Sequence, residues 1–385
     1  MKIVFTGGGT AGHILPILAI VREIKANYTD LKFIPYYIGP KPDEYILNLL
    51  KEEGIKIKII ITGKLRRYFS FKIFLDFLKI PIGLTQAFFL LFFLGPDLIF
   101  SKAGYGSFSV AFWANLFNIP FFLHESDAVL GLAAEIESKW AQEIFFSFPL
   151  NDFNTSNKDQ KTFLQKGIVI GNPIRKEILG GSREEAQKIF NLQNKKPVIL
   201  ILGGSQGAQK INEVILDVLP AFLRSFELIH QTGSRNFSEI KKEVDAILVD
   251  EDLKKNYHFY PFLDEYSLKQ ALAVADFVVS RAGAGAIFEI AAAGKPAFLI
   301  PLSHSSRNHQ LKNAYFFVRS GGGEIIEEIN LTSHFLLTKL EHIFSRPDLL
   351  VEMIENSKNF SRPNAAKVVA VYLVEYFKQI SGKGT

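Results

Sequence analysis

The 385-residue sequence contains no cysteine. This excludes a disulfide framework and any thiolate metal site, and it fits a reducing compartment. Nor is there a run of the roughly 20 apolar residues that a membrane-spanning helix needs. The most apolar stretch, residues 87–94, stops at Gly95-Pro96, and read backwards it meets Gln86, Thr85, Gly83 and Pro81. It reads as a buried or interfacial helix. The start, Met1-Lys2-Ile3-Val4-Phe5, passes straight into glycines and reads as a strand, not a secretory signal. No clear Asp-x-Asp pair is offered for a metal on a diphosphate. What is present is a globular composition, 48% apolar and 22% charged. The net charge of +5 fits an anionic partner (phosphate, nucleic acid or membrane surface) without choosing among them. Phenylalanine is abundant, at 36 residues.

Short strand-like runs alternate with amphipathic helix-like segments along the chain. The strands are expected at residues 3–6, 33–38, 56–61, 98–100, 121–124 and 144–148. In the second half they are expected at 198–202, 226–231, 257–262, 277–280 and 297–301, and a first helix at 13–27. This is the βαβ pattern of an α/β protein with parallel sheets. The opening recurs: a strand runs into Gly7-Gly8-Gly9-Thr10-Ala11-Gly12-His13, and near the middle another runs into Gly203-Gly204-Ser205-Gln206-Gly207-Ala208. Each is the strand, glycine turn and helix that starts a Rossmann-like domain. The length also suggests two domains. The join is expected near Gly171-Asn172-Pro173, dividing the chain into residues 1–170 and 171–361. Ligands in such sheets sit at the carboxyl ends of the strands, so two facing sheets would place an active site in the cleft between them.

Gly7, Gly9 and Gly12 satisfy the dinucleotide spacing, but the second strand ends Tyr37-Ile38-Gly39-Pro40 without the acidic residue that a nicotinamide ribose wants. The same loop has the outer spacing of a P-loop, yet His13 and Ile14 stand where Lys and Ser or Thr are required. A tight turn with no ligand is the plain alternative. Further glycine turns at 101–107, 203–208 and 280–285 each lead into a helix, whereas 320–323 reads as a helix C-terminal cap. Several helix N-termini around one site suit a diphosphate flanked by sugars.

Taken together, Gly8–His13, His124-Glu125-Ser126-Asp127, Gly171-Asn172-Pro173-Ile174-Arg175, Gly203–Ala208, Ser280-Arg281-Ala282-Gly283-Ala284 and Asn308-His309-Gln310 occur in the order seen in the MurG family. The chain resembles that family over nearly its whole length. The resemblance implies a GT-B fold of two Rossmann-like domains. It also implies an inverting transferase that moves N-acetylglucosamine from UDP-N-acetylglucosamine to the 4-hydroxyl of the muramoyl sugar of lipid I. The product would be lipid II, for cell-wall synthesis, cell shape and division. No cofactor and no metal are implied.

By the same resemblance the donor would be held by Thr10, Ala11, Gly12, Arg175, Ser205, Gln206, Leu263 (through its backbone), Ala284, Gly285, Ala286, Glu289 and Gln310. Glu289 would take ribose hydroxyls and Gln310 sugar hydroxyls, although each also reads as an ordinary polar residue of a helix. Tyr105 and Asn212 match acceptor-binding positions. His13, at a helix start where the dipole disfavours protonation, reads as a general base or as a ligand of phosphate or sugar. Glu125 is the alternative base, and Asp127, where many members carry Asn, would assist it or bind sugar. Other departures are Leu130 for a usual proline, the lack of proline around Phe108, and small Gly285 and Ala286. A helix at about 362–385 is expected to pack back on the first domain.

Residues 64–79 mix bases with aromatics. Leu65, Arg66, Arg67, Phe69, Phe71, Lys72 and Phe74 read as a surface lying on anionic lipid, or else as ordinary packing with a solvated basic face. The implied location is the cytoplasmic face of the cell membrane, peripherally bound, with lipid I and other cell-wall enzymes as partners. Nucleic acid is not expected as a partner. The rival readings are a GT-B enzyme with a diacylglycerol acceptor, a nucleotide-sugar epimerase, and a binding or scaffold protein without turnover.

Overall fold

The structure, a computed structural model, describes residues 1–63, 72–149, 167–204 and 207–382, and of residues 72–78 and 306 the backbone alone. The chain divides into two compact units, Met1–Arg175 with Pro363–Thr385, and Lys176–Arg362. Leu65, Arg66, Arg67, Phe69, Phe71, Ser205 and Gln206 lie outside the described residues. Lys72 and Phe74 fall on the backbone of a helix, Lys72–Leu94.

The first unit is built on seven strands: β1 (Lys2–Thr6), β2 (Ile34–Gly39), β3 (Lys56–Ile59), β4 (Leu98–Ser101), β5 (Phe121–Glu125), β6 (Glu143–Phe146) and β7 (Gly167–Val169). They pair in the order β3-β2-β1-β4-β5-β6-β7, parallel throughout. Helices cover the sheet, so its central strands are near-continuous apolar runs. Phe5, Phe100, Phe121, Phe122, Phe145 and Phe146 fill its two faces, which accounts for part of the phenylalanine excess.

The C-terminal helix, Ala365–Gly382, belongs to this unit. Ala366, Val369, Ala370, Leu373 and Val374 recur at helical spacing and join the core of Ile3, Phe5, Phe100 and Phe122. Tyr372 meets Phe122 at 5.7 Å and Phe145 at 5.3 Å between ring centroids, both edge-on.

The second unit repeats the plan with β8 (Val198–Leu202), β9 (Glu227–Gln231), β10 (Tyr257–Tyr260), β11 (Phe277–Arg281), β12 (Ala297–Ile300) and β13 (Gly323–Ile325). Their order is β10-β9-β8-β11-β12-β13, again parallel. Both sheets follow the doubly wound 3-2-1-4-5-6 order. The strand order therefore reverses between β1 and β4 and between β8 and β11, and in each unit the loops leaving the two strands flank the usual ligand crevice of such a sheet.

Eleven strands fall where the sequence places them, with trimmed ends. The expected 56–61, 144–148 and 257–262 stop at Ile59, Phe146 and Tyr260. Phe148 stays buried beyond its strand, so an apolar run outlasts the ladder it belongs to. β7 and β13 were not expected: each has only three residues, too few to show alternation. Gly321, at φ +83°, does end the helix His309–Arg319 in the left-handed region, but Gly323 opens β13 and pairs with Ala297.

Leu373 is fully buried against the first sheet. Leu373→Ala is expected to cost ~3 kcal/mol, read as a lower urea midpoint for the first unit. A loss under ~1 kcal/mol would show that this helix does not complete that core.

Candidate active site

In the first unit the loops after β1 and β4 touch. A Cβ on Gly106 would lie 2.2 Å from Gly7 O, an approach that only glycine permits. Thr10, in an extended conformation, starts the helix Ala11–Asn27, and its Oγ1 is 2.8 Å from His13 Nδ1. His13 Nε2 would stand 3.1 Å from a Cβ on Gly104, so its ring faces the second glycine loop. Ala11 is half-buried and Thr10 and Gly12 are exposed at this helix start, while Tyr105 is half-buried on the loop after β4.

Beside them, β5 ends in His124-Glu125. Glu125 is buried, and its carboxylate accepts from the backbone N–H of Asp127 (3.0 Å) and of Gly131 (3.2 Å). Burial first, and then the Asp127 charge, push its carboxyl well above the usual range. Lys102, one residue past β4 and 1% exposed, places Nζ 2.6 Å from His124 Nδ1 and 3.1 Å from Asn172 Oδ1. His124 Nε2 lies 3.1 Å from Gly171 O. That carbonyl can only accept, so Nε2 carries the proton and Nδ1 accepts from Lys102. Burial and the Lys102 charge keep His124 neutral. Burial pulls the Lys102 ammonium down to about 7, against the pull of Glu125 and Asp127.

Behind the β4 loop sits Glu137, fully buried, with hydrogen bonds from Ser101 Oγ (2.7 Å) and Ser107 Oγ. Burial is the main cause that raises its carboxyl to about 8.

The second unit places different chemistry at the equivalent position. Gln231, at the end of β9, donates Nε2–H to Gly204 O (3.0 Å) and accepts at Oε1 from Leu263 N–H (3.1 Å). It thereby ties the first glycine loop of this unit to the loop that holds Leu263. Gly207 is at φ +81°, and a Cβ there would lie 2.4 Å from Thr232 O. After β11 the chain enters the helix Ala284–Ala292 with Gly283 as an N-cap that makes no side-chain bond. Ala284, Gly285 and Ala286 are its first turn, whose N–H groups have no intrahelical acceptor. Glu289 lies one turn beyond Gly285 on the same face. Gln310 accepts at Oε1 from Leu302 N–H (2.9 Å), which steadies the bend at left-handed Arg307 and Asn308. Asn212 is buried with its amide committed inside this unit, Nδ2 to Thr232 O (3.0 Å) and Oδ1 to His230 Nε2 (3.0 Å). Arg175 is buried at the last position of the first unit.

Among the described residues no cluster of three or more His, Asp or Glu side chains is placed to hold a metal ion. The chain's literal Asp-x-Asp, Asp250-Glu251-Asp252, serves as a helix cap, with Asp250 accepting from the N–H of Asp252 and Leu253. Sequence reasoning missed Lys102, Glu137 and Gln231. A polar residue closing a buried apolar strand is the signal that marks Gln231, and the lysine directly after Leu98–Ser101 is its counterpart.

Two Rossmann-like domains of this strand order are those of a GT-B glycosyltransferase. The glycosyltransferase family 28 N-terminal domain matches residues 3–146 and the family 28 C-terminal domain residues 198–369. Within that class the chain belongs to the MurG family. The UDP-N-acetylglucosamine--N-acetylmuramyl-(pentapeptide) pyrophosphoryl-undecaprenol N-acetylglucosamine transferase 3 of Bacillus thuringiensis (strain Al Hakam) is 37% identical over 89% of this chain and 91% of its own. The Clostridium botulinum (strain Langeland) transferase of the same name is 35% identical over 98% and 99%. Among solved structures, Acinetobacter baumannii MurG aligns with a TM-score of 0.69 at 24% identity, over 97% of this chain and 99% of that one. The UDP-GlcNAc 2-epimerase of Neisseria meningitidis shares the fold, with a TM-score of 0.65 at 14% identity over 97% and 100%.

A carboxyl whose folded pKa exceeds its unfolded value contributes stability below the unfolded value and loses it as pH rises through the folded one. Glu137 is therefore expected to make the first unit less stable between about pH 4.5 and about pH 8. Glu137→Gln should remove this loss and raise stability at pH 8 by ~2 kcal/mol, read as a higher urea midpoint. An unchanged or lower midpoint at pH 8 would contradict it.

Proposed function

We propose that the chain transfers N-acetylglucosamine from UDP-N-acetylglucosamine to the 4-hydroxyl of the muramoyl sugar of lipid I, giving lipid II with inversion at the anomeric carbon. The carrying observation is membership of the MurG family across the whole length, together with an ordered polar site at the strand ends of each unit.

The first unit takes the acceptor. In the tautomer that gives Nδ1–H to Thr10 Oγ1, His13 Nε2 presents its lone pair and removes the proton of the attacking hydroxyl. Glu125 is the second candidate base: buried and raised in pKa, it holds or accepts a proton near neutral pH. Asp127 and Tyr105 hydrogen-bond the acceptor sugar. The second unit takes the donor. Ser205, Gln206 and the first turn at Ala284, Gly285 and Ala286 meet the diphosphate, and Arg175 adds a cation. The Leu263 N–H is held by Gln231, so its carbonyl is the group left to face uracil. Glu289 accepts the ribose hydroxyls, and Gln310 offers its Nε2 to the sugar. Thr10, Ala11 and Gly12 lie on the pyrophosphate side of the acceptor or against the donor sugar. Backbone amides and helix starts stabilise the departing UDP as charge develops on it.

The enzyme works on the surface of the membrane. No helix among the described residues is long and apolar enough to cross one. The helix Lys72–Leu94 buries Ala87 and Leu91 and exposes Phe89 (51%), Phe92 (63%) and Phe93 (79%). These exposed aromatics suit insertion at an anionic lipid boundary, on the cytoplasmic face where lipid I is the substrate.

Release of UDP from UDP-N-acetylglucosamine tests the reading. Release is expected only with a lipid I analogue, and His13→Ala should lower kcat at least ~100-fold with little change in KM for the donor. Release without acceptor would instead favour an epimerase, and UDP binding without turnover a binding protein. Replacing Phe92 and Phe93 together by Asp should weaken co-sedimentation with anionic vesicles at least ~10-fold. Unchanged sedimentation would remove this helix from the membrane surface.

A further inference from the structure

The cluster at the ends of β4 and β5 holds buried Glu125 and half-buried Asp127 near one ammonium, that of Lys102, with a further buried carboxyl, Glu137, behind the β4 loop. We infer that Lys102 is a positioning residue of the acceptor site, which compensates Glu125 and Asp127 from behind and locks His124 and Asn172. The inference rests on the proposed transfer reaction and adds to it a residue that acts through others.

The geometry supports it in three ways. Lys102 cannot be a solvated surface lysine, because it is 1% exposed and its Cβ lies 3.2 Å from where a Cβ on Gly7 would stand. The two hydrogen bonds of its Nζ go to a neutral imidazole and an amide oxygen, and neither partner is a carboxylate. Its charge is therefore available to the Glu125 and Asp127 carboxylates at short range in a poorly solvated site. Finally, Asn172 Oδ1 also accepts from Ser126 Oγ (3.3 Å) and Ser147 Oγ (3.5 Å), so one amide gathers the ends of β4, β5 and β6 around the ammonium. The titratable groups that act on Lys102 are His124, Glu125 and Asp127, from β5 and its loop, and Glu137 from the helix Leu132–Glu137 acts in turn on Glu125.

The role has a definite consequence. Without the ammonium, ionisation of Glu125 and Asp127 becomes harder, and their pKa values rise. Lys102→Met keeps the length and apolar stem of the side chain and removes the charge together with the two Nζ hydrogen bonds. In a transfer assay with a lipid I analogue, the acid limb of kcat/KM should move up by about one pH unit. Activity at pH 7 should fall roughly tenfold, with KM for UDP-N-acetylglucosamine unchanged. A purely structural role would lower the melting temperature and kcat without moving the limb, and that result overturns the inference. If Lys102→Met does not fold, NMR of the wild-type protein decides: a Glu125 carboxyl 13C shift that moves as the Lys102 ammonium deprotonates supports the inference, and a Glu125 shift that stays unmoved through that titration overturns it. A wild-type protein that transfers nothing to the analogue would overturn the proposed function. A wild-type that transfers, beside a Lys102→Met whose limb stays in place, overturns this inference alone.

Discussion

The balance of charge at the ends of β4 and β5 is the constraint on which the first unit's chemistry depends. Each ionised group left without compensation in such a place costs several kcal/mol. The chain meets this with one ammonium for Glu125 and Asp127, with two backbone N–H groups on Glu125, and with a raised pKa for Glu137. These solutions fix positions as well as charges. The bonds from Lys102 to His124 and Asn172, and from Ser101 and Ser107 to Glu137, hold the loops that carry Tyr105 and face His13. The cluster of titratable groups is thus also a set of polar ties among neighbouring strands and loops.

The second unit has the same topology and a different electrostatic design. Its switch-point loops offer backbone amides and a helix start, and Gln231 fixes them with two neutral hydrogen bonds. His230 is present but buried between Tyr257 and Asn212, where burial drives its pKa down to about 3 and leaves it uncharged. One fold used twice therefore gives two kinds of site. One concentrates titratable side chains, which suits deprotonating a hydroxyl, and the other concentrates N–H dipoles, which suits holding an anion without exchanging protons.

Much of the fold was legible because glycine turns mark the starts of both sheets and apolar runs mark the inner strands. Strand ends were less so, since Ile60 and Phe148 remain buried after their ladders end. The three-residue edges β7 and β13 carry no periodicity to read. Of the candidate site, His13, Glu125 and Asp127 stand in motifs and could be named from them. Lys102 could not: its meaning depends on β4 lying beside β5, a pairing that the linear order does not state. Glu137 and Asn172 are likewise brought in by topology. Asn212 can be named from the resemblance, whereas its hydrogen bonds to Thr232 and His230 depend on the fold.

The burial and partial compensation of Glu125 in a carboxylate cluster are open to direct measurement. A 13C NMR titration of the Glu125 carboxyl in the full-length protein should give a midpoint well above the ordinary glutamate value of about 4.3. That midpoint should rise further in Lys102→Met. A midpoint at the ordinary value, unmoved by that substitution, would contradict the account.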